Sequence, residues 1–185
     1  DLITAAGADR VLTMDLHAPQ IQGFFNIPVD HLLGFGILAP YMNEKFKEKK
    51  DDLMVVSPDL GSVTRARNFA QKLDVPMAII DKRRQRANVC EICNIIGDVR
   101  GKKVILVDDM IDTAGTLCNA AQALIEKGGS TEVYACATHG VLSGPAMERI
   151  EKSVFKEIIL LDTIPLSSGF MRTSRCLPCL SDTAH

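Results

Sequence analysis

The sequence predicts an α/β fold in which a mostly parallel sheet is flanked by helices. Strand-like runs alternate with helical patterns along the 185 residues, which is typical of βαβ units. The run from Val104 to Val107 contains no polar residue, as expected for a strand buried on both faces of a parallel sheet. A chain of this length can bury about 70% of its unfolded surface in one core. One ordinary α/β domain is therefore expected.

Six aliphatic runs are expected to form strands. They are Val11 to Met14, Leu53 to Ser57, Met77 to Ile80, Val104 to Val107, Val133 to Thr138 and Ile158 to Leu161. Helical patterns lie between several of these runs. The expected helices are a turn closed by Gly7, a helix with Val63, Ala66, Ala70 and Leu73 on one face, a helix from Gly115 that stops at Gly128, and a short helix from Pro145 to Lys152.

Composition excludes several classes of partner. The formal net charge is −2 and no basic stripe is present, so nucleic acid is not an expected partner. No apolar run approaches the roughly 18 residues that span a bilayer, and the first residues lack the pattern of a secretory signal. We expect a cytoplasmic location and no membrane partner.

The six cysteines include two C-x-x-C pairs, Cys90 with Cys93 and Cys176 with Cys179. A zinc site is one reading of such pairs. The pairs lie far apart in sequence, and their arrangement does not match the spacing of a zinc ribbon. Thiols in a reducing compartment are the favoured interpretation.

The strand that ends at Val107 leads into the most informative segment of the chain. Two acids, Asp108 and Asp109, follow the strand, and a loop of small and hydroxylated residues then opens a helix. The loop residues are Asp112, Thr113, Ala114, Gly115 and Thr116. Ligands of open parallel sheets bind at the carboxyl ends of the strands, and a helix N-terminus attracts phosphate. This layout predicts a sugar-phosphate site, with the acids facing sugar hydroxyls or a hydrated cation.

Five segments of the chain together resemble one enzyme family. They are Asp15 to Asp30, Ser57 to Gly61, Asp81 to Arg84, Asp108 to Thr116 and Thr138 to Pro145. They are similar, in order and approximate spacing, to the ribose-phosphate diphosphokinases, also called phosphoribosyl pyrophosphate synthetases. The resemblance covers roughly residues 1 to 166. It implies a phosphoribosyltransferase-like fold of type I.

The resemblance also implies a reaction. Members of the family transfer diphosphate from ATP to ribose 5-phosphate, which yields phosphoribosyl pyrophosphate and AMP for nucleotide biosynthesis. ATP, ribose 5-phosphate and Mg²⁺ are therefore the expected ligands, and a homo-oligomer, a hexamer in the family, is the expected assembly. Aligning two polyanions requires cations more than a strong base.

Site residues follow from the same resemblance. Lys82 matches an essential lysine and is the candidate catalytic residue. Arg84 matches an arginine of the ribose-phosphate site, and Asp108 with residues 112–116 matches the part that binds ribose hydroxyls and the 5-phosphate. His17 and Asp59 match the Mg²⁺ positions, although histidine is an unusual ligand for Mg²⁺.

Two neighbouring residues qualify this metal assignment. Asp15 shares a face with His17 by strand alternation and is a candidate for orienting the imidazole. Asn26 stands where an aspartate is common in the family, so a second metal site there is in doubt.

The resemblance predicts a division of the chain into three parts. Residues 1–30 are expected to be a junction segment that carries Asp15, Leu16 and His17, and residues 31–166 are expected to be the α/β domain. Residues 167–185 have no clear period and are expected to be a poorly ordered tail that diverges from the family. Only the second of the family's two similar halves is recognised here, so weak or absent synthesis is expected.

Two other functions remain open. A phosphoribosyltransferase uses the same acid-acid-loop motif, but the block from Asp15 to Asp30 and the run Lys82-Arg83-Arg84 favour the diphosphokinases. A catalytically impaired subunit that binds sugar phosphate or regulates a partner is the other alternative.

Overall fold

The computed structural model describes residues 1–83, 92–166 and 174–179, and within them strands and helices alternate as expected. The strands are β1 (Val11–Met14), β2 (Val29–Leu32), β3 (Leu53–Ser57), β4 (Met77–Arg83), β5 (Ile92–Ile96), β6 (Lys103–Ile111), β7 (Glu132–Gly140), β8 (Phe155–Leu161) and β9 (Ser174–Leu177). The α-helices are α1 (Leu2–Ala5), α2 (Phe35–Lys45), α3 (Val63–Leu73), α4 (Gly115–Glu126) and α5 (Ala146–Glu151). Two 3₁₀-helices are Pro19–Phe24 and Lys50–Asp52.

Seven of these strands form one sheet in the order β5-β4-β3-β6-β7-β8-β9. Neighbouring strands are parallel, except that β5 runs antiparallel to β4. Strands β1 and β2 pair with each other in a separate parallel sheet. The predicted α/β fold with a mostly parallel sheet flanked by helices is confirmed.

The core lies on both faces of the large sheet. Alternate residues of β6 divide between two clusters: Val104 and Leu106 pack on the side of α4 and α5, and Ile105 and Val107 pack on the side of α2 and α3. All four side chains are at most 2% exposed. Each such aliphatic side chain contributes about 1.5–3 kcal/mol through burial, so β6 is held firmly from both sides.

Helix α2 and strand β2 are among the elements that were not expected from the sequence. Helix α2 contains Pro40, and Gly34 and Gly36 stand at its start, so the segment carries the residues that mark turns. Its helical form places Leu38, Ala39 and Met42 in the core, where they are at most 2% exposed. Burial against the sheet therefore outweighs the local signals. Strand β2 was also not expected, because Asp30 and His31 make up half of its four residues and no aliphatic run marks it.

Part of the expected tail is ordered as a strand. Residues Ser174–Leu177 pair in parallel with β8, and Leu177 lies opposite Leu161. The partly buried Leu177 and Cys179 pack against the cluster that includes α2 and α3. The sequence of this segment shows no period, but its backbone groups are paired by the edge of the sheet. Residues 167–173 and 180–185 lie outside the described residues.

The length and composition of the helices bear on the expectation of no membrane partner. Within residues 1–83, 92–166 and 174–179, no helix combines the length and the apolar character that crossing a bilayer requires.

Candidate functional site

The carboxyl end of β6 carries the two acids singled out by the sequence. The strand continues to Ile111, so Asp108 and Asp109 lie within it. Ser62, just before α3, donates its hydroxyl to Asp108 Oδ1 at 3.0 Å. Asp109 Oδ2 lies 2.7 Å from His17 Nδ1, across 92 positions of sequence. The two adjacent acids thus have different hydrogen-bond partners.

These surroundings separate the acidities of the two carboxyls. Burial raises the pKa of Asp108 to about 7, and the side chain of Asp109 acts in the same direction. Burial alone would also raise the pKa of Asp109, but hydrogen bonds with His17 and Asp108 and the charge of Arg65 lower it below the ordinary value. Near neutral pH, Asp109 is therefore an anion and Asp108 exchanges a proton. Asp108 can donate to or accept from a hydroxyl there.

In the loop of residues 112–116, residues 112–114 connect β6 to α4, and Gly115 and Thr116 begin the helix. Ala114 precedes the helix with φ of 58° in the left-handed region. Asp112, Thr113 and Thr116 are exposed. A left-handed turn followed by a helix N-terminus presents backbone N–H groups in a concave arrangement that suits an anion. The structure therefore gives this loop the local form that a phosphate site requires.

A cavity of about 490 Å³ lies beside the end of β6. It brings together three of the candidate residues, His17, Asp59 and Asp108. Its lining residues are Asp15, Leu16, His17, Pro19, His31, Leu33, Phe35, Asp59, Gly61, Ser62, Thr64, Arg65, Asn68, Asp108, Asp109 and Met110. The loop of residues 112–116 follows Met110 in the chain and lies outside this lining.

The two basic candidates lie at the end of β4 and directly after it. Lys82 is near the end of this strand, where its backbone pairs with Cys93 of β5. The side chain of Lys82 and the whole of Arg84 lie outside the described residues. Their proposed roles therefore rest on the sequence resemblance.

Asp15 anchors the segment that carries His17. It is only 3% exposed and has a left-handed φ of 40°. Its Oδ2 accepts hydrogen bonds from Gly34 N at 2.8 Å and from the Thr138 hydroxyl, and its Oδ1 accepts one from Arg65 Nη1 at 3.1 Å. Three donors compensate for the burial of this charge.

This arrangement corrects the expected role of Asp15. The carboxylate that contacts the His17 imidazole is that of Asp109, whereas Asp15 binds Gly34, Thr138 and Arg65. Strand alternation places Asp15 and His17 on one face only if the strand continues. Because β1 ends at Met14 and Asp15 turns left-handed, the alternation stops before His17.

The assignment of Mg²⁺ to His17 and Asp59 depends on which of their atoms are already hydrogen-bonded within the chain. His17 Nδ1 is hydrogen-bonded to Asp109. Nε2 is therefore the ring nitrogen that can bind a ligand, as in carboxylate-histidine-metal arrangements. Asp59 Oδ1 accepts a hydrogen bond from Ser62 N at 2.9 Å. Within the described part of the chain, no group of three or more acidic, histidine or cysteine side chains is arranged to hold a metal. The residues fit Mg²⁺ bound by one carboxylate, water and substrate phosphates, which is its common mode in phosphate chemistry.

Sequence reasoning missed several contact residues of the site. Ser62 and Arg65 stand at the start of α3, where only the helix pattern was noticed. Ser143 and Arg149 approach the 112–116 loop from the segment after β7. A helix start beside Asp59 was a usable signal for Ser62, but no local pattern distinguishes Arg65 or Arg149 from solvated cations.

The chain resembles known proteins of one kind over most of its length. A family model described as the phosphoribosyl synthetase-associated domain matches residues 89–178. The chain is 70% identical over 166 residues to a ribose-phosphate pyrophosphokinase of Caldanaerobacter subterraneus subsp. tengcongensis, covering 90% of this chain and 52% of that protein. It is 69% identical over 169 residues to the protein of that name from Clostridium perfringens, covering 91% and 53%. The resemblance to the ribose-phosphate diphosphokinases is confirmed.

A solved structure supports the same relationship. The crystal structure of phosphoribosylpyrophosphate synthetase from Mycobacterium smegmatis superposes with a TM-score of 0.87 at 41% sequence identity. The match covers 96% of this chain and 57% of that one. The chain therefore spans about half the length of the curated diphosphokinases it matches.

Proposed function

We propose that this chain forms the ribose 5-phosphate-binding part of a ribose-phosphate diphosphokinase. The observation that carries the proposal is the continuous unit of Asp108, the left-handed Ala114 turn and the N-terminus of α4. It combines an acid able to bind hydroxyls with N–H groups able to bind phosphate. Sequence identity of 70% over 166 residues to a named pyrophosphokinase supports this reading against a phosphoribosyltransferase.

In the proposed reaction, diphosphate passes from ATP to the anomeric hydroxyl of ribose 5-phosphate. Asp108 holds ribose hydroxyls, and residues 112–116 hold the 5-phosphate through backbone N–H groups. Lys82 neutralises negative charge on the phosphate oxygens during transfer, and Arg84 contacts the ribose phosphate. Alignment and charge neutralisation are the main requirements of such a displacement.

Mg²⁺ is the proposed cofactor. When bound, it would neutralise charge on the phosphates of ATP. Asp59 is the carboxylate proposed to hold it, and His17 is proposed to contact the metal, its water or the ATP phosphates through Nε2. The buried Asp109 keeps this imidazole oriented.

Complete synthesis is assigned to the longer proteins that this chain resembles. For the 185-residue chain itself we propose binding of ribose 5-phosphate with weak or absent turnover. The proposed partners are ATP, ribose 5-phosphate and further subunits of the same kind in a homo-oligomer. A subunit that binds sugar phosphate without catalysis remains the alternative.

Calorimetric titration of the chain tests the proposal. We expect ribose 5-phosphate to bind at least tenfold more tightly than ribose, because ribose cannot use the N–H groups of the loop. Asp108→Asn should weaken binding about tenfold, the effect of losing one hydrogen bond to a charged group. Asp51→Asn, in the exposed 3₁₀-helix before β3, is the matched control and should bind normally.

A second titration with Mg·ATP and an assay for AMP release complete the test. Slow AMP release would exclude the non-catalytic subunit, and robust AMP release would contradict the weak or absent turnover proposed for this chain. Failure of the unmodified chain to distinguish ribose 5-phosphate from ribose would contradict the proposed site.

A further inference from the structure

The segment that follows β7 contacts three consecutive residues ahead of α4. Leu142 N donates to Ile111 O at 3.0 Å. The Ser143 hydroxyl donates to the Asp112 carboxylate, and Arg149 Nη1 donates to Thr113 O at 2.9 Å. The loop of residues 112–116 is therefore held from the side of α5 by contacts that are distant in sequence.

Arg149 lies unusually close to the loop backbone. A Cβ atom added to Gly115 would lie 3.1 Å from Arg149 Nη1, which is closer than most such contacts in proteins. The absence of a side chain at Gly115 thus leaves room for the guanidinium beside the turn. Arg149 is exposed, so this contact is not a by-product of burial in the core.

The hydrogen bond from Arg149 fixes the direction of a peptide group. In a trans peptide the C=O and the N–H of one plane point in opposite directions. Because the Thr113 carbonyl points to Arg149, the Ala114 N–H of the same plane points away from α5. The left-handed φ of Ala114, 58°, is one that a residue with a side chain seldom adopts, so an external contact is needed to maintain it.

We propose that Arg149 is a positioning residue, which holds the peptide between Thr113 and Ala114 so that the Ala114 N–H faces the 5-phosphate. This inference rests on the proposed function of the loop. Arg149 acts through the backbone and does not itself contact the ligand. Ser143 contributes to the same brace through Asp112.

Backbone relaxation measured by nuclear magnetic resonance tests the brace without any ligand. In Arg149→Ala we expect the order parameters of the amides of residues 113–116 to fall from about 0.85 to below about 0.6, while those of β6 stay unchanged. The three-bond coupling between the amide and α protons of Ala114, which depends on φ, should change as well. Lys152→Ala is the control, because Lys152 pairs with Glu148 on the same helix.

Calorimetry then connects the brace to binding. We expect Arg149→Ala to weaken ribose 5-phosphate binding about tenfold, because a loop that is less ordered in the free variant must be ordered when the ligand binds. The melting temperature should change little, because the contact lies on an exposed loop. Guanidinium ion at millimolar concentration should partly restore the affinity of this variant, but not that of Asp108→Asn.

The results of these experiments separate the positioning role of Arg149 from the proposed function of the loop. Unchanged order parameters of residues 113–116 in Arg149→Ala overturn the positioning role. If binding is weaker in the same variant, the result indicates direct contact between Arg149 and the ligand. A loop that loses order in Arg149→Ala, in a chain that never binds ribose 5-phosphate, overturns the proposed function and the phosphate part of this inference. It leaves the brace itself supported.

Discussion

Replacing Gly34 by alanine should disrupt the anchor of the segment that carries His17. The added Cβ would clash with Thr138 Oγ1 and would lie 2.9 Å from both Asp15 Oδ2 and Leu161 Cδ1. Overpacking of this kind costs about 1–3 kcal/mol. The displaced hydrogen bonds to the buried Asp15 carboxylate add about 1.5–3 kcal/mol. We therefore expect a loss of about 2.5–6 kcal/mol in the free energy of unfolding.

Thermal and urea unfolding followed by circular dichroism measure this loss. For a chain of this size the melting temperature should fall by about 5–24 °C. Gly36→Ala is the matched control, because this exposed glycine of the same helix has no atom within 4 Å of an added Cβ. It should be stabilised by about 0.5–1 kcal/mol through helix propensity. Equal melting temperatures of the two variants would refute the packing argument around Asp15.

Three further predictions concern the candidate site. Ala114→Gly should raise the free energy of unfolding by about 1 kcal/mol, because glycine adopts the left-handed φ of 58° without strain, whereas a loss in urea unfolding would contradict that conformation. The folded chain binds the Asp108 proton more tightly than the unfolded chain, so stability should fall as the pH rises from 3.8 to about 7. Asp108→Asn should remove this part of the pH dependence in urea titrations, and an unchanged slope would argue against the raised pKa. His17→Ala should change stability by at most about 1 kcal/mol, because the His17 side chain is 77% exposed, but should weaken Mg·ATP binding in calorimetry. Normal Mg·ATP affinity would exclude the proposed role of His17.

Most of the fold could be predicted because its signals are local. The β6 run is entirely apolar, and α3 and α4 show a clear helical period that ends at a recognisable stop. Helix α2 could not be predicted in the same way. Its turn-forming Gly34, Gly36 and Pro40 are outweighed by the burial of Leu38 and Met42, which depends on the position of the sheet.

The candidate site likewise has residues that could be predicted from local sequence and residues that could not. Asp108 and the loop after it follow directly from the end of a buried strand, so their position in the fold could be inferred. The partner of His17 could not, because Asp109 lies 92 positions away and reaches it only after the sheet has formed. Arg149 gives no local signal, because its contact with Thr113 joins residues 36 positions apart.

The anchor around Asp15 and the brace at Thr113 explain why the free energy of unfolding and the affinity for ligands should respond to different substitutions. The anchor around Asp15 combines residues from the end of β1, the start of α2, α3 and β7, all of them at least partly buried. The brace at Thr113 is exposed and involves a single side chain from α5. Breaking the anchor exposes a buried charge and so weakens the whole fold, whereas breaking the brace frees only a loop that solvent already reaches. Because the anchor holds His17 and the brace holds the loop, the proposed ATP and ribose 5-phosphate ends of the site are supported by different parts of the chain.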